Sequence, residues 1–297
     1  MKLKFWGTRG IMSTPQESHI TYGVNTTCIE ILSDDRIILV DAGFGACRLG
    51  ETLEKRLMKK EELTIDIFFT HFHWDHIQGF ALFPPLYFKS SIINIYSPCP
   101  VDYVYRHLNI LFDHSYSPFN GLKNMFSKLN YHQVADTAEL GSIQVSFCQT
   151  DHIKNSSDKR EGNTYGYKFV NEKTREKISI ITDHEAKPSA INDKIIEFCE
   201  NSNILVHDAQ YTENEYKNFE GWGHSSDLMA LSNAMRIKPR ICLLTHHLPN
   251  RSDNEINKNY NSIKSKFEQS GLDFSFAKEE YIYCALQTGK LCECYHL

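Results

Sequence analysis

The stretch FFTHFHWDHIQGF, residues 68 to 80, sets His71, His73, Asp75 and His76 within six positions directly after an apolar run. Imidazole nitrogens and carboxylate oxygens are ligands for divalent cations. His71 and His73 are two residues apart at a strand end, so both can face one side and one metal. A turn beyond them brings Asp75 and His76 to a neighbouring position, as needed if two cations sit side by side. Packing four such groups together without a cation would leave unsatisfied or mutually repelling polar atoms, at a cost on the order of 1 kcal/mol or more each.

The elements that must position these groups are short apolar runs of strand length: RIILVDAG (36 to 43), IDIFFTH (65 to 71), ISIITDH (178 to 184), NILVHDAQ (203 to 210) and ICLLTHH (241 to 247). Each ends abruptly in Asp or His, and continuous apolar runs predict strands covered on both faces. Helical patterns lie between them at 46 to 60, 185 to 201 and 225 to 237, the last with serine or aspartate at its start as a cap. MKLKFWG, TTCIEILS and SIQVSFCQT alternate apolar with polar, which predicts strands with two unlike faces. The class is α/β with some antiparallel pairing.

Other strand ends supply further ligands: His152 after VSFCQT, Asp183 after ISIIT and His246 after ICLLT. Each alone reads as a hydrogen-bonded polar cap, but in an α/β sheet the carboxyl ends of strands converge on one crevice. Five histidines and two aspartates without a thiolate suit a catalytic site for two Zn2+ ions, with Mn2+ or iron less suited, better than a structural zinc.

Composition narrows the function. The 297 residues carry 32 basic and 37 acidic side chains, a formal charge of −5, which argues against a surface built to hold duplex nucleic acid. No stretch approaches the ~18 continuous apolar residues of a membrane span, and MKLKFWGTRG lacks the apolar centre of a secretory signal, so a cytoplasmic location is expected. Nine cysteines, scattered and often inside apolar runs, read as reduced thiols. Cys292, Cys294 and His296 of the tail CECYH offer three ligands with no evident fourth. Residues 1 to 297 read as one domain, with an aromatic-rich, proline-studded insertion at about 84 to 135 expected to act as a lid or an interface.

THFHWDH resembles the H-x-H-x-D-H signature of the metallo-β-lactamase fold. KFWGTRG, YGVNTTC, VDAG, TDHE, HDAQYT, GWGHSS and LLTHH follow in the family's order, nearly end to end. The set is similar to the branch that includes 3' tRNA processing nucleases, cyclic nucleotide phosphodiesterases and phage anti-Pycsar proteins. The resemblance implies an αβ/βα sandwich of two mixed sheets packed face to face with helices outside. It places one metal on His71, His73 and His152 and the other on Asp75, His76 and His246, with Asp183 bridging and Asp41 orienting an imidazole. HDAQ resembles the histidine-glutamate-alanine-threonine motif of the tRNA nucleases, with Asp208 in place of the glutamate, and GWGHSS their histidine-serine-threonine motif. His224 is then the proton donor and Asp208 its orienter, as an alternative to a structural hydrogen bond at the helix start.

The expected chemistry is attack of a metal-bridging hydroxide on a phosphodiester, with His224 giving a proton to the departing ribose oxygen. A small 3',5'-cyclic mononucleotide is the first substrate, with destruction of cyclic CMP or cyclic UMP defence signals as one setting, in the host cytoplasm for a phage-encoded chain. The tRNA 3' processing endonuclease is the alternative. That class carries a long basic glycine-rich arm, whereas NEKTREK (171 to 177), where it would lie, is short and mixed in charge. Thioester or lactone hydrolysis on the same fold is a further alternative. The resemblance also implies a homodimer, with the 84 to 135 segment, including Tyr116 and Phe119, at the contact or stacking a base. Arg9, Asn25 and Thr26 lie in motifs that look like loops at the site mouth, suited to a phosphate or ribose contact or to a structural turn, and His184, Glu185, His207 and His247 lie beside the ligands rather than among them.

Overall fold

The computed structural model describes residues 1–33, 36–152 and 162–285; the tail with Cys292, Cys294 and His296 lies outside the described residues. The first sheet begins with β1 (Lys2–Gly7), β2 (Cys28–Ser33), β3 (Arg36–Val40), β4 (Leu63–Phe68), β5 (Ser91–Ser97) and β6 (Lys128–Gln133). Its first three strands pair antiparallel, and β3 to β6 run parallel. The second sheet holds β7 (Thr137–Leu140), β8 (Ile143–Gln149), β9 (Tyr165–Asn171), β10 (Lys177–Ile181), β11 (Ile204–Asp208), β12 (Ile241–Thr245) and β13 (Phe274–Phe276). It repeats the scheme, antiparallel from β7 to β10 and parallel from β10 to β13. β14 (Ile282–Cys284) then returns to pair with β1, giving seven strands in each sheet.

The helices are α1 (Gly45–Met58), α2 (Trp74–Ile77), α3 (Val101–Asn109), α4 (Ala190–Cys199), α5 (Glu213–Phe219), α6 (Asp227–Ile237) and α7 (Asp253–Phe267). Strand alternation explains the layers. In β3, Ile38 and Val40 face the second sheet, where they meet the layer of Tyr167, Phe169, Ile180 and Val206. Ile37 and Leu39 face outward and pack with Leu49, Leu53 and Leu57 of α1. The outer side of the second sheet buries Leu205, Cys242 and Leu244 with α4, α6 and α7 through Ile195, Leu231 and Ile256. This is the expected αβ/βα sandwich, and both faces of the parallel strands are covered, as their unbroken apolar runs require. Ser226 caps α6 by accepting from the Met229 amide, as the serines ahead of that helix predicted.

The 84 to 135 segment is built into the first sheet. It supplies β5 and β6 to the parallel half of the first sheet, with α3 between them. The flanking prolines and aromatics masked the strands: Ile93 and Ile95 are buried in the outer core, but their period-two pattern is brief. Phe119 stacks on Tyr87 at 5.0 Å and packs against that core, whereas Tyr116 is exposed. Among the described residues no helix is long and apolar enough to cross a membrane.

Candidate metal centre

Both parallel half-sheets deliver polar residues from their carboxyl ends to one place. His71 and His73 follow β4, and Asp75 and His76 ride on α2. His152 lies beyond β8, Asp183 just after β10, Asp208 at the end of β11 and His246 just after β12. Asp41, Asp183 and His246 each leave their strand with positive φ, at 62°, 53° and 66°. Left-handed backbone at a non-glycine residue costs about 1–3 kcal/mol and persists where surrounding structure enforces it, often at functional sites. The same turn, used three times, carries these side chains off the strand ends and into the crevice.

All seven sequence-predicted ligands come together around Asp183. Its carboxylate oxygens lie 3.2 Å from His76 Nε2, 3.4 Å from His246 Nε2, 3.6 Å from His152 Nε2 and 3.9 Å from His71 Nε2. Asp75 Oδ2 lies 3.3 Å from His246 Nε2 and 3.5 Å from His76 Nε2. His73 Nδ1 faces His152 Nε2 at 3.0 Å. His71, His73 and His152 form one group able to hold a cation, and Asp75, His76 and His246 another.

Each Nδ1 that points away from the centre has an oxygen to receive its proton. His76 Nδ1 donates to Asp41 Oδ2 at 2.8 Å, His246 Nδ1 to Gln210 Oε1 at 2.8 Å and His152 Nδ1 to the Gly223 carbonyl at 2.9 Å. His71 Nδ1 donates to Thr70 Oγ1 at 3.0 Å, and that hydroxyl in turn donates to Asp41 Oδ2 at 2.8 Å. These bonds set the tautomer and turn every Nε2 lone pair inward. The Nε2 atoms of His71, His76 and His246 are buried without a hydrogen-bond partner. Three orphaned inward-facing ring nitrogens beside two carboxylates are the arrangement a divalent cation satisfies, so the residues fit the group that the sequence implied.

The charge pattern agrees. Burial drives His71 well below the ordinary imidazole range and His152 down to about 4, keeping both in the neutral form that ligates. Burial also opposes charge on His76 and His246, but Asp183, Asp75 and their neighbours outweigh it, raising His76 well above its usual range and His246 to about 9. The carboxylates therefore call for positive charge, which protons supply until a metal displaces them.

His224 stands at the edge of this cage. Its Nδ1 lies 2.7 Å from Asp208 Oδ2 and 4.0 Å from Asp183 Oδ1, and its ring stacks on His246 at 4.8 Å. Burial works against the Asp208 carboxylate, but His224 and His246 outweigh it and hold the group below its ordinary range. Asp208 also accepts from the amides of Asp183, Gln210 and Ser225. Its carboxylate thus ties the proposed proton donor to the backbone of the central aspartate.

Gln210 and the Gly223 carbonyl had no signal in residue type alone. Gln210 is identifiable only once β11 and β12 are known to be neighbours, since it reaches across to His246. Arg251 Nη1 in turn donates to the Gln210 carbonyl at 2.9 Å. Gln210→Leu is expected to weaken metal binding roughly 10- to 100-fold, measured by chelator competition, because it frees the His246 ring to rotate. Two glycines are also required by close approach: a Cβ on Gly10 would lie 2.2 Å from His246 Cε1, and one on Gly223, at φ 84°, 2.5 Å from His152 Nδ1.

The residues set beside the ligands are structural. Arg9 is buried and donates to the carbonyls of Gly23, Leu248 and Arg251. Thr26 Oγ1 accepts from the Phe44 amide and from Gln78 Nε2. His184 bonds Asn192, Glu185 accepts from Tyr216 and the Gly221 amide, His207 Nδ1 lies 2.8 Å from the Asp208 carbonyl, and His247 donates to the Ala277 carbonyl. Asn25 is clamped by Glu279, which accepts from both its amide and its side chain. Burial lifts Glu279 to about 7 against those bonds. Its folded pKa is raised, so its contribution is full below the unfolded value of ~4.3 and is lost as pH rises to about 7. Urea denaturation should show Glu279→Gln gaining on the wild type by on the order of 3 kcal/mol across that window.

The family model for the beta-lactamase superfamily domain matches residues 36–247. Ribonuclease Z of Thermoplasma acidophilum is 24% identical over 290 residues, covering 86% of this chain and 89% of that protein. Among solved structures, human tRNase Z, short form, superposes with a TM-score of 0.61 at 17% identity over 96% of this chain and 99% of its own. Unliganded yeast PDE1 superposes at 0.65 with 15% identity over 94% and 97%. These structural likenesses concern the fold. With the family model spanning most of the chain and a cage of histidines and aspartates at the carboxyl ends of its strands, the chain belongs to the metallo-β-lactamase superfamily and is a metal-dependent hydrolase.

Proposed function

We propose that the protein is a phosphodiesterase of 3',5'-cyclic mononucleotides, with cyclic CMP or cyclic UMP defence signals as the candidate substrates in the cell and the cytoplasm as its location. His71, His73 and His152 would hold one zinc ion and Asp75, His76 and His246 a second, with the Asp183 carboxylate within reach of both groups. When bound, such ions supply activated water near neutral pH and stabilise charge on a phosphoryl oxygen. The chain's own residues do the rest. Asp41, Thr70, Gln210 and the Gly223 carbonyl hold the imidazoles in register. His224, oriented by Asp208, stands ready to give a proton to the departing ribose oxygen.

The observation that carries this reading is the His224–Asp208 pair at 2.7 Å, built against the metal cage. An alkoxide leaving group needs a proton, and here a donor stands beside the cage. The small substrate is supported by the β9–β10 connection. It is a short hairpin in which the Asn171 amide donates to the Glu176 carbonyl and the Asn171 side chain accepts from the Lys173 and Thr174 amides. Such a turn leaves no room there for a tRNA-gripping arm. A homodimer contact through the 84 to 135 segment is supported by the exposure of Val101, Ile110, Tyr116 and Phe126.

The test is a turnover panel on the zinc-supplemented protein, setting cyclic AMP, GMP, CMP and UMP beside a pre-tRNA with a 3' trailer. Products are identified by mass, and Asp75→Ala is the control. Ring opening of the mononucleotides with inert pre-tRNA supports the proposal; cleavage of pre-tRNA alone overturns it in favour of the ribonuclease Z reading.

A further inference from the structure

Four large apolar side chains stand exposed on the segments that carry the cage residues: Ile11, Met12, Trp74 and Trp222, between 52% and 65% accessible. Each is fastened to a residue of the site. Trp74 lies between His73 and Asp75. Ile11 donates its amide to Asp75 Oδ2 at 2.7 Å, and Met12 donates its own to the carbonyl of Gly10, the glycine pressed against His246. Trp222 precedes Gly223, whose carbonyl takes the His152 proton, and lies two residues before His224. The backbone that carries both indoles is thus the backbone that carries His73, Asp75, Gly223 and His224. Ile11 keeps φ at 66°, a rare conformation for a β-branched residue, with its side chain out in solvent.

Exposed apolar side chains scattered singly need no explanation, but a collar of them around a polar crevice marks a binding surface. Two of the chain's three tryptophans are spent on it; the third, Trp6, is buried and donates to Glu30. The Trp222 ring is braced edge-on by Phe219 at 5.4 Å, and Phe219 stacks on Tyr211 at 4.7 Å. That support braces the indole while leaving much of its surface open. With a phosphodiester at the cage, the base of a nucleotide lies one ribose away, at the level of the rim. We propose that this collar is the base-binding subsite, with Trp74 and Trp222 stacking on a planar nucleobase and Ile11 and Met12 closing its apolar side. Stacking accepts any base, because every base has a π face, so the collar favours nucleotides over base-free phosphodiesters rather than one base over another. This subsite rests on the phosphodiesterase reading above.

The experiment uses the metal-loaded protein and its intrinsic fluorescence, titrated with 5'-AMP, 5'-CMP and base-free ribose 5-phosphate. The nucleotides are expected to quench emission while ribose phosphate does not. Trp74→Ala and Trp222→Ala should each raise the nucleotide Kd about ten-fold, and lower by a similar factor the preference in kcat/KM for cyclic nucleotides over ribose 3,5-cyclic phosphate. Trp→Phe at either position should restore most of it. Unchanged nucleotide Kd and preference in both alanine variants would overturn the subsite. So would a shift from dimer to monomer in sedimentation with nucleotide binding intact, which would make the collar a contact between copies. If cyclic nucleotides are not hydrolysed but the base-dependent quench is present and lost in the variants, the reaction assignment fails and the subsite stands.

Discussion

Asp183→Asn is expected to strip the protein of bound metal and to lower turnover at least about 10³-fold. A metal acting as Lewis acid contributes several kcal/mol of transition-state stabilisation, and each ~1.4 kcal/mol is tenfold in rate. The reason lies in the geometry: the Asp183 carboxylate is within 4.0 Å of His71, His76, His152, His224 and His246, and both candidate cation groups converge on it. It is buried, and its surroundings hold it well below the ordinary carboxylate range, because the nearby imidazoles outweigh the burial that opposes its charge. Asparagine is the better probe than alanine. It keeps the volume and tolerates the left-handed backbone at φ 53°, so the change removes charge without a new backbone strain. Metal content by elemental analysis and turnover should fall together. Full metal occupancy with a rate within tenfold of wild type would remove Asp183 from the centre of the cage.

Much of this site was legible because apolar strand residues and polar site residues abut with no loop between them. Asp183 follows ISIIT and His246 follows ICLLT without a spacer, so recognising the strand also located the side chain. The same logic placed His71, His73, Asp75 and His76 after β4 and Asp208 on β11. Of the groups that orient the imidazoles, Asp41 was implied by the resemblance and does accept from His76, but Gln210, Thr70 and the Gly223 carbonyl were not legible for a physical reason. Gln210 acts through one hydrogen bond to His246, Thr70 links His71 to Asp41 across two strand ends that only packing brings together, and Gly223 acts through its backbone. Residue type carries no trace of such roles. The strands β5 and β6 were obscured because one face is covered by aromatics of the same segment, so the prolines and aromatic density read as irregular chain. The positive φ of Asp41, Asp183 and His246 also leaves no mark on the sequence, since none is a glycine.

On the phosphodiesterase reading proposed above, His224→Ala should leave metal content unchanged and lower kcat for cyclic nucleotides by about 10² to 10⁴, the range for loss of a positioned general acid. The two predictions separate because of where His224 sits: it takes its orientation from Asp208 at 2.7 Å, whereas neither the His71, His73 and His152 group nor the Asp75, His76 and His246 group includes it. A substrate that needs no proton on departure exposes the role directly. With a p-nitrophenyl phosphodiester the leaving phenolate is stable unprotonated, so the same variant should lose far less. Asp208→Asn is a second probe with a mixed effect, because Asp208 also accepts from the Asp183 amide and its loss disturbs the aspartate that both cation sites share. A His224→Ala rate near wild type on cyclic nucleotides would leave the alkoxide without a donor from this side chain. Equal losses on both substrate types would instead assign His224 to positioning the phosphoryl group, since only proton transfer distinguishes the two leaving groups.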